Sequence, residues 1–274
     1  MEFNHKSVLL QECITGLNIK PNGIYVDGTM GGAGHSKKIV ENLSKEGRLI
    51  GIDRDTDALE TAKQRLEQYE NVTYVHGNHD DIKEILESLQ IDKVDGILLD
   101  LGVSSYQIDE KTRGFSYMQD SFLDMRMDQT QNLTASDVVN TYEEERLAQI
   151  IYEYGEERFS RQIAKKICEE RKNKQINTTK ELVEIIRKAV PFYDKNAGHP
   201  AKRTFQAIRI EVNDEIRPLK STVKQAIEAL KPNGRLCIIT FHSLEDRAVK
   251  IAYNEALRKM YMSKWISKMC MRGS

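Results

Sequence analysis

The segment Asp27-Gly-Thr-Met-Gly-Gly-Ala-Gly-His-Ser36 constrains the fold of this chain more than any other. It follows the short apolar run Ile24-Tyr-Val and leads into a helix-like stretch over residues 36–44. Small residues from Gly31 to Gly34 let the backbone approach a ligand closely, at the strand end where an open α/β sheet binds its cofactor. Three more runs of strand length follow, Arg48-Leu-Ile-Gly-Ile, Val72-Thr-Tyr-Val and Val94-Asp-Gly-Ile-Leu-Leu, with helix-like stretches at 57–69 and 82–89 between them. This alternation predicts a parallel, Rossmann-like sheet covered by helices on both faces.

A fifth strand, Arg235-Leu-Cys-Ile-Ile-Thr-Phe, comes far later, after a helix at 219–230 and the turn Lys231-Pro-Asn-Gly. The stretch in between opens with a loop over 109–131 and continues with helical periodicity over 135–154, 157–174 and 179–190. Thr178-x-x-Glu181 is a capping-box signal for the last of these, and Pro191 ends it. A second loop over 192–202 leads to a helix at 204–213. The expected organisation is a discontinuous cofactor domain, 1–108 with 214–274, carrying an inserted helical subdomain, 109–213, for substrate recognition.

Which cofactor the loop takes follows from its chemistry. Gly32 and Gly34 fit two glycines of a dinucleotide fingerprint, but Lys37 stands where the third belongs, and no Gly-Lys-Ser/Thr of a P-loop is present. Asp27 at the strand end would repel a pyrophosphate and suits an ammonium or sulfonium. S-adenosylmethionine has both cations and no phosphate. Asp53, closing the second strand, is placed to accept ribose hydroxyls. The bland alternative is a tight strand-helix turn followed by another turn at Asp53. His35 either caps the following helix or touches the cofactor. His79 and Asp80, after the third strand, lie where an adenine is expected, although a structural role for His79 is equally open.

Asp100 ends the fourth strand. An exocyclic amino group on a base is a poor nucleophile because its lone pair is delocalised, and an acceptor that holds its N–H groups helps the nitrogen pyramidalise. Asp100 suits that role or a cofactor contact. After the fifth strand, Ser243-x-x-Asp246 reads as a helix cap, and His242 is a candidate substrate contact.

With 41 Lys and Arg against 42 Asp and Glu, the net charge is −1, which excludes nucleic-acid binding through bulk positive charge and requires local patches. One candidate is Arg158 to Lys174, either a solvated face or a phosphate-contacting one. Another is His199-Pro-Ala-Lys202-Arg203 ahead of a helix start, and a basic C-terminal stretch is a third. The loop bearing Arg113 and Arg126 either covers the site or packs the insert. Four cysteines without a C-x-x-C pair suggest neither a disulfide framework nor a zinc site, so no metal is expected. With no apolar run of membrane-spanning length, the expected location is the cytoplasm.

The motifs His5-Lys-Ser-Val-Leu-Leu, Asp27-Gly-Thr-Met-Gly-Gly-Ala-Gly-His-Ser, Gly51-Ile-Asp-Arg-Asp, Asp95-Gly-Ile-Leu-Leu-Asp-Leu-Gly-Val-Ser-Ser, Arg113-Gly-Phe-Ser-Tyr, Leu123-Asp-Met-Arg-Met-Asp, Tyr154-Gly-Glu-Glu-Arg-Phe, His199-Pro-Ala-Lys-Arg-Thr-Phe-Gln-Ala-Ile-Arg and Phe241-His-Ser-Leu-Glu-Asp-Arg together resemble one family. It is the RsmH, formerly MraW, family of bacterial small-subunit ribosomal RNA cytosine-N4 methyltransferases. The resemblance implies a class I methyltransferase sheet and S-adenosyl-L-methionine as cofactor. It also implies methylation of N4 of a decoding-centre cytidine in 16S rRNA within the small ribosomal subunit. The family's cofactor contacts fall on Ala33, Gly34, His35, Asp53, His79, Asp100 and Gln107. Where the family commonly has an aromatic this chain has His79, and Tyr106 replaces a common proline. The stretch 248–274 departs from the family, looks helical, and leaves the last two strands of a methyltransferase sheet unaccounted for, so strand five is expected to be an exposed edge or to be covered by this tail or by a second chain. Catalytic roles fall to Asp100 and His242, and RNA contacts to Arg113, Arg126, His199, Lys202 and Arg203. The competing reading is a cofactor- and RNA-binding ribosome-assembly factor without turnover, and an NAD-dependent oxidoreductase is third. Monomer and homodimer are both open.

Overall fold

The computed structural model describes residues 7–190 and 198–270, without the side chains of Ser105 and of residues 259–270. His5, Lys6, Pro191, most of the loop over 192–202, and the cationic groups of Lys259, Lys264, Lys268 and Arg272 therefore lie outside the described residues. By its contacts the chain divides into two compact units, one running to Gly102 and resuming at Ile216, the other Val103–Glu215.

The first unit is built on a parallel sheet of β1 (Ile24–Asp27), β2 (Arg48–Asp53), β3 (Val72–His76), β4 (Val94–Asp100) and β5 (Leu230–Ile239), in the order β3-β2-β1-β4-β5. Its helices are α1 (Leu10–Leu17), α2 (Gly34–Val40), α3 (Thr56–Arg65) and α4 (Ile82–Ser88), then, after the second unit, α11 (Leu219–Ala229) and α12 (Ser243–Cys270). Successive strand residues point to opposite faces, and the core divides accordingly. Tyr25, Leu49 and Leu98 pack with α1, α2 and α3. Val26, Ile50, Ile97 and Leu99 pack with α4, α11 and α12. The strand order reverses between β1 and β4, which opens a crevice at their C-terminal ends.

Two details differ from the sequence reading. Helix α1, for which no signal was read, buries Cys13 and Leu17. Strand β5 begins at Leu230 and absorbs the expected turn at Lys231–Gly234, with a register irregularity opposite Val94 and Gly96. Lys231 holds this segment to β4 through Asp95, Nζ to Oδ2 at 2.7 Å. At the start of α12, Asp246 pairs with Lys250, and the Glu245 carboxylate reaches back, accepting from the Phe241 N–H at 2.7 Å.

Among the described residues no strand follows β5, and 243–270 is helical throughout. The carbonyl of Ile239 accepts from Leu101 N across the β4 side, so that of Leu236, of opposite parity, points outward. There it meets the Tyr253 hydroxyl of α12 at 3.4 Å, which covers part of the edge. No helix among the described residues is long and apolar enough to cross a membrane.

The second unit is helical: α5 (Ser105–Asp109), α6 (Ala135–Thr141), α7 (Glu144–Gly155), α8 (Ser160–Glu170), α9 (Thr179–Ala189) and α10 (Lys202–Asn213). Val138, Leu147, Ile163, Leu182, Phe205 and Ile208 belong to its own buried core. The box Thr178/Glu181 caps α9. The periodicity over 135–154 is broken at Tyr142 because Arg171 donates to the carbonyls of Val139 and Tyr142, at 3.0 and 2.7 Å, and so closes the end of α6.

Candidate active site

The loop after β1 is pinned to three strands. Gly28 N donates to Leu98 O and Met30 N to Ile52 O, each at 2.9 Å, while the Thr29 hydroxyl accepts from Asp100 N at 2.6 Å. Asp53 accepts from Gly31 N and Asp55 N, at 2.7 and 2.9 Å. Met30 fits over β2 only because position 51 is glycine: a Cβ there would stand 2.2 Å from its sulfur. Ala33 closes the turn in the left-handed region, φ 62°, and Gly34 starts α2. Asp27 is fully buried and braces the loop, accepting from Ser36 Oγ at 2.7 Å and Thr29 N at 3.2 Å.

Three carboxylates therefore end neighbouring strands with little to balance them. Burial holds Asp27 above the usual carboxylate range against the pull of Ser36 and His35. Burial likewise pushes Asp53 up to about 6, with its backbone donors opposing. Asp100 is raised to about 6 by burial, with His35 opposing and the charges of Asp27 and Glu245 reinforcing the rise. His35 is buried, its Nε2 3.0 Å from Val8 O and its Nδ1 3.6 Å from Asp100 Oδ2. With Nε2 donating to a carbonyl, the His35–Asp100 contact is attractive only when a further proton sits in the pair. The other oxygen, Asp100 Oδ1, is buried and has no hydrogen-bond partner among the described residues. Such a site fits a cation and disfavours a pyrophosphate, and the small-residue loop leaves room for close approach. The residues present thus fit S-adenosylmethionine.

His79 is buried in a short 3-10 turn, with its Nδ1 2.9 Å from Asp80 Oδ1. Asp80 is not free to face an adenine: Thr222 Oγ1 donates to it at 2.8 Å, which ties the turn to α11. Burial would raise Asp80, but the bonds and charges from His79, Thr222 and Arg54 together hold it below the ordinary range. At the end of β5, His242 Nε2 lies 3.1 Å from Oε1 of the buried Glu245. Sequence reading missed Glu245, whose signal was its place three residues after His242.

The remaining expected residues lie in the second unit. Gln107 is buried, and its side-chain oxygen accepts from Ser104 N at 3.0 Å in a capping box. Arg113 and Arg126 were expected to face RNA; the structure buries Arg113 and leaves Arg126 partly exposed but tied to its own loop. Arg113 is buried and donates to the carbonyls of Arg126 and Met127, at 2.9 and 3.1 Å. Arg126 forms a fork with Asp124, at 2.8 and 2.9 Å, and reaches the carbonyls of Gln129 and Gln131. A loop without regular structure needs such donors for its carbonyls. His199 stacks on Tyr117, with centroids 4.7 Å apart, while Lys202 and Arg203 are exposed at the start of α10. The Arg158–Lys174 patch is partly neutralised within the unit: Lys166 pairs with Glu169 and Glu170, Lys174 with Glu181, and Arg171 caps α6.

A family profile described as the MraW methylase family matches residues 2–271. A curated protein named ribosomal RNA small subunit methyltransferase H, from Clostridium botulinum (strain Kyoto / Type A2), is 61% identical over 255 residues, which span 93% of this chain and 82% of that protein. Its namesake from Clostridioides difficile (strain 630) is 58% identical over 255 residues, 92% of this chain and 82% of its own. Among solved structures, an rRNA methylase from Streptococcus thermophilus aligns over 35% of this chain and 56% of its own, at 21% identity and a TM-score of 0.30.

Proposed function

This chain belongs to the MraW methylase family, and from that premise we propose that it methylates the exocyclic N4 of a decoding-centre cytidine in 16S rRNA. It is an S-adenosylmethionine-dependent small-subunit ribosomal RNA methyltransferase. The observation that carries the finer reading is Asp100 Oδ1, a buried acceptor with no partner among the described residues, at the open end of β4. A partnerless buried acceptor costs free energy until a donor reaches it, and an amino group of a base is such a donor.

Bound S-adenosylmethionine supplies an electrophilic methyl group on a sulfonium. Asp53 would accept the ribose hydroxyls, the stretch Ala33, Gly34 and His35 would line the cofactor, and His79 would flank the adenine. Asp100 holds an amino N–H and keeps the nitrogen lone pair directed at the methyl. The base is extruded to reach it. Lys202 and Arg203, exposed where α10 begins, neutralise phosphates, with His199 beside them. Units Val103–Glu215 and the sheet unit serve RNA recognition and cofactor binding respectively, and the work is done on the small subunit in the cytoplasm.

The test is incubation with tritiated S-adenosylmethionine and small subunits lacking the modification, followed by nucleoside mass spectrometry. Label in N4-methylcytidine is expected. Asp100→Ala abolishes transfer at saturating cofactor. Measurable cofactor binding with no label in the wild type would overturn the reading in favour of a factor without turnover.

A further inference from the structure

We propose that Glu245 is a positioning residue that fixes the tautomer of His242 and thereby makes His242 Nδ1 the acceptor of the proton released on methyl transfer. The inference rests on the reading of this site as an amino-group methyltransferase. Four observations carry it. Glu245 is buried, with 1% of its side chain exposed, at the first turn of α12. Its Oε2 accepts from Phe241 N at 2.7 Å, and its Oε1 stands 3.1 Å from His242 Nε2. The other ring nitrogen, His242 Nδ1, is buried and finds no partner among the described residues. Asp100 Oδ1 is in the same condition, at the end of the strand paired with β5, where Asp100 stands opposite Ile239.

A carboxylate only accepts, so the nitrogen facing Glu245 is the one that carries hydrogen, and Nδ1 then presents a lone pair. The approach of Nε2 to Oε1 is oblique, a common state for such contacts before substrate is bound. Asp100 Oδ1 and His242 Nδ1 are thus two unfilled acceptors at the ends of adjacent strands, and an exocyclic amino group carries two hydrogens. When the sulfur–methyl bond breaks and the nitrogen–methyl bond forms, sulfur keeps the bonding pair and the amino nitrogen spends its lone pair. The nitrogen is then one proton over, and that proton passes to His242 Nδ1. The imidazolium that results is held beside the Glu245 carboxylate, whose charge stabilises it.

The alternative is that Glu245 only caps the start of α12. Glu245→Gln separates the two roles. The amide oxygen still accepts from Phe241 N, so the cap is kept, but the amide N–H now faces Nε2 and drives the hydrogen to Nδ1. Nitrogen NMR of the histidine-labelled protein, with the His242 signal identified by its loss in His242→Ala, reads the tautomer directly. The Nε2–H form is expected in the wild type and the Nδ1–H form in Glu245→Gln. The same variant lowers kcat by about a hundredfold or more, with cofactor affinity and melting temperature unchanged, and adds nothing to the loss in His242→Ala. Either the same tautomer in both proteins or a kcat within about threefold of wild type would overturn the proposal. If the wild type transfers no methyl at all, the functional reading falls, while the two tautomers still decide whether Glu245 positions His242.

Discussion

A buried carboxylate stays ionised only at a cost, and at Asp53 and Asp100 that cost is visible in pKa values pushed up to about 6. The sign for stability follows. Both groups bind protons more tightly folded than unfolded, so their contribution is full below about pH 4 and is lost as pH rises through about 6. Ligand binding runs the opposite way. A cation prefers the ionised carboxylates, so S-adenosylmethionine is expected to bind more tightly as pH rises from 5 to 7, about tenfold per proton released. Calorimetry in buffers of different ionisation enthalpy should show that release. Asp53→Asn keeps only one acceptor for the Gly31 and Asp55 N–H groups, so it should loosen the loop and weaken cofactor binding; tighter binding in that variant would contradict the assigned role. The positions of Asp27, Asp53 and Asp100 at strand ends were legible because each closes an apolar run. Their partners were not, since Ser36, His35 and Val8 come together only when the loop folds back.

At the scale of elements, the loop after β1 works as a clip whose shape depends on what β2 lacks. Gly51→Ala puts a Cβ against the end of the Met30 side chain, which must shift, and the loop that carries it is expected to loosen its Gly31–Asp53 bond. The expected loss is about 1–3 kcal/mol in urea unfolding, together with weaker cofactor binding. Unchanged affinity would mean that Met30 repacks without moving Gly31. The alternation of strands and helices was legible in the first hundred residues because each strand has apolar residues for both faces. Helix breaks inside the insert were not. Arg171 closes α6 from a different helix end, and no local signal announces a side chain arriving from so far along the chain. The same residue shows that part of the charge of a basic run is consumed by the fold.

Across the whole molecule, the two compact units have separate cores. Leu182 is fully buried in the helical one, so Leu182→Ala is expected to cost that unit about 2–5 kcal/mol, with the dissociation constant for cofactor little altered. Differential scanning calorimetry with and without cofactor checks this, because ligand should raise only the transition of the sheet unit. A cofactor-induced shift of equal size in every transition would show instead that the chain melts as one body. The near-zero net charge agrees with docking through local cations such as Lys202 and Arg203. Raising the salt concentration should therefore weaken RNA binding with a shallow slope, one unit or so for each phosphate contact.

The sequence by itself determined the sheet, the cofactor loop, the strand-end carboxylates and the family, because these depend on local periodicity and on contiguous motifs. Only the tertiary structure decided which polar groups are satisfied. It buried Arg113, tied Arg126 to Asp124, bound Asp80 to Thr222, and left Asp100 Oδ1 and His242 Nδ1 without partners among the described residues. The reason is physical: a hydrogen bond is made or missed according to where distant segments meet, and burial then sets what each unmade bond costs.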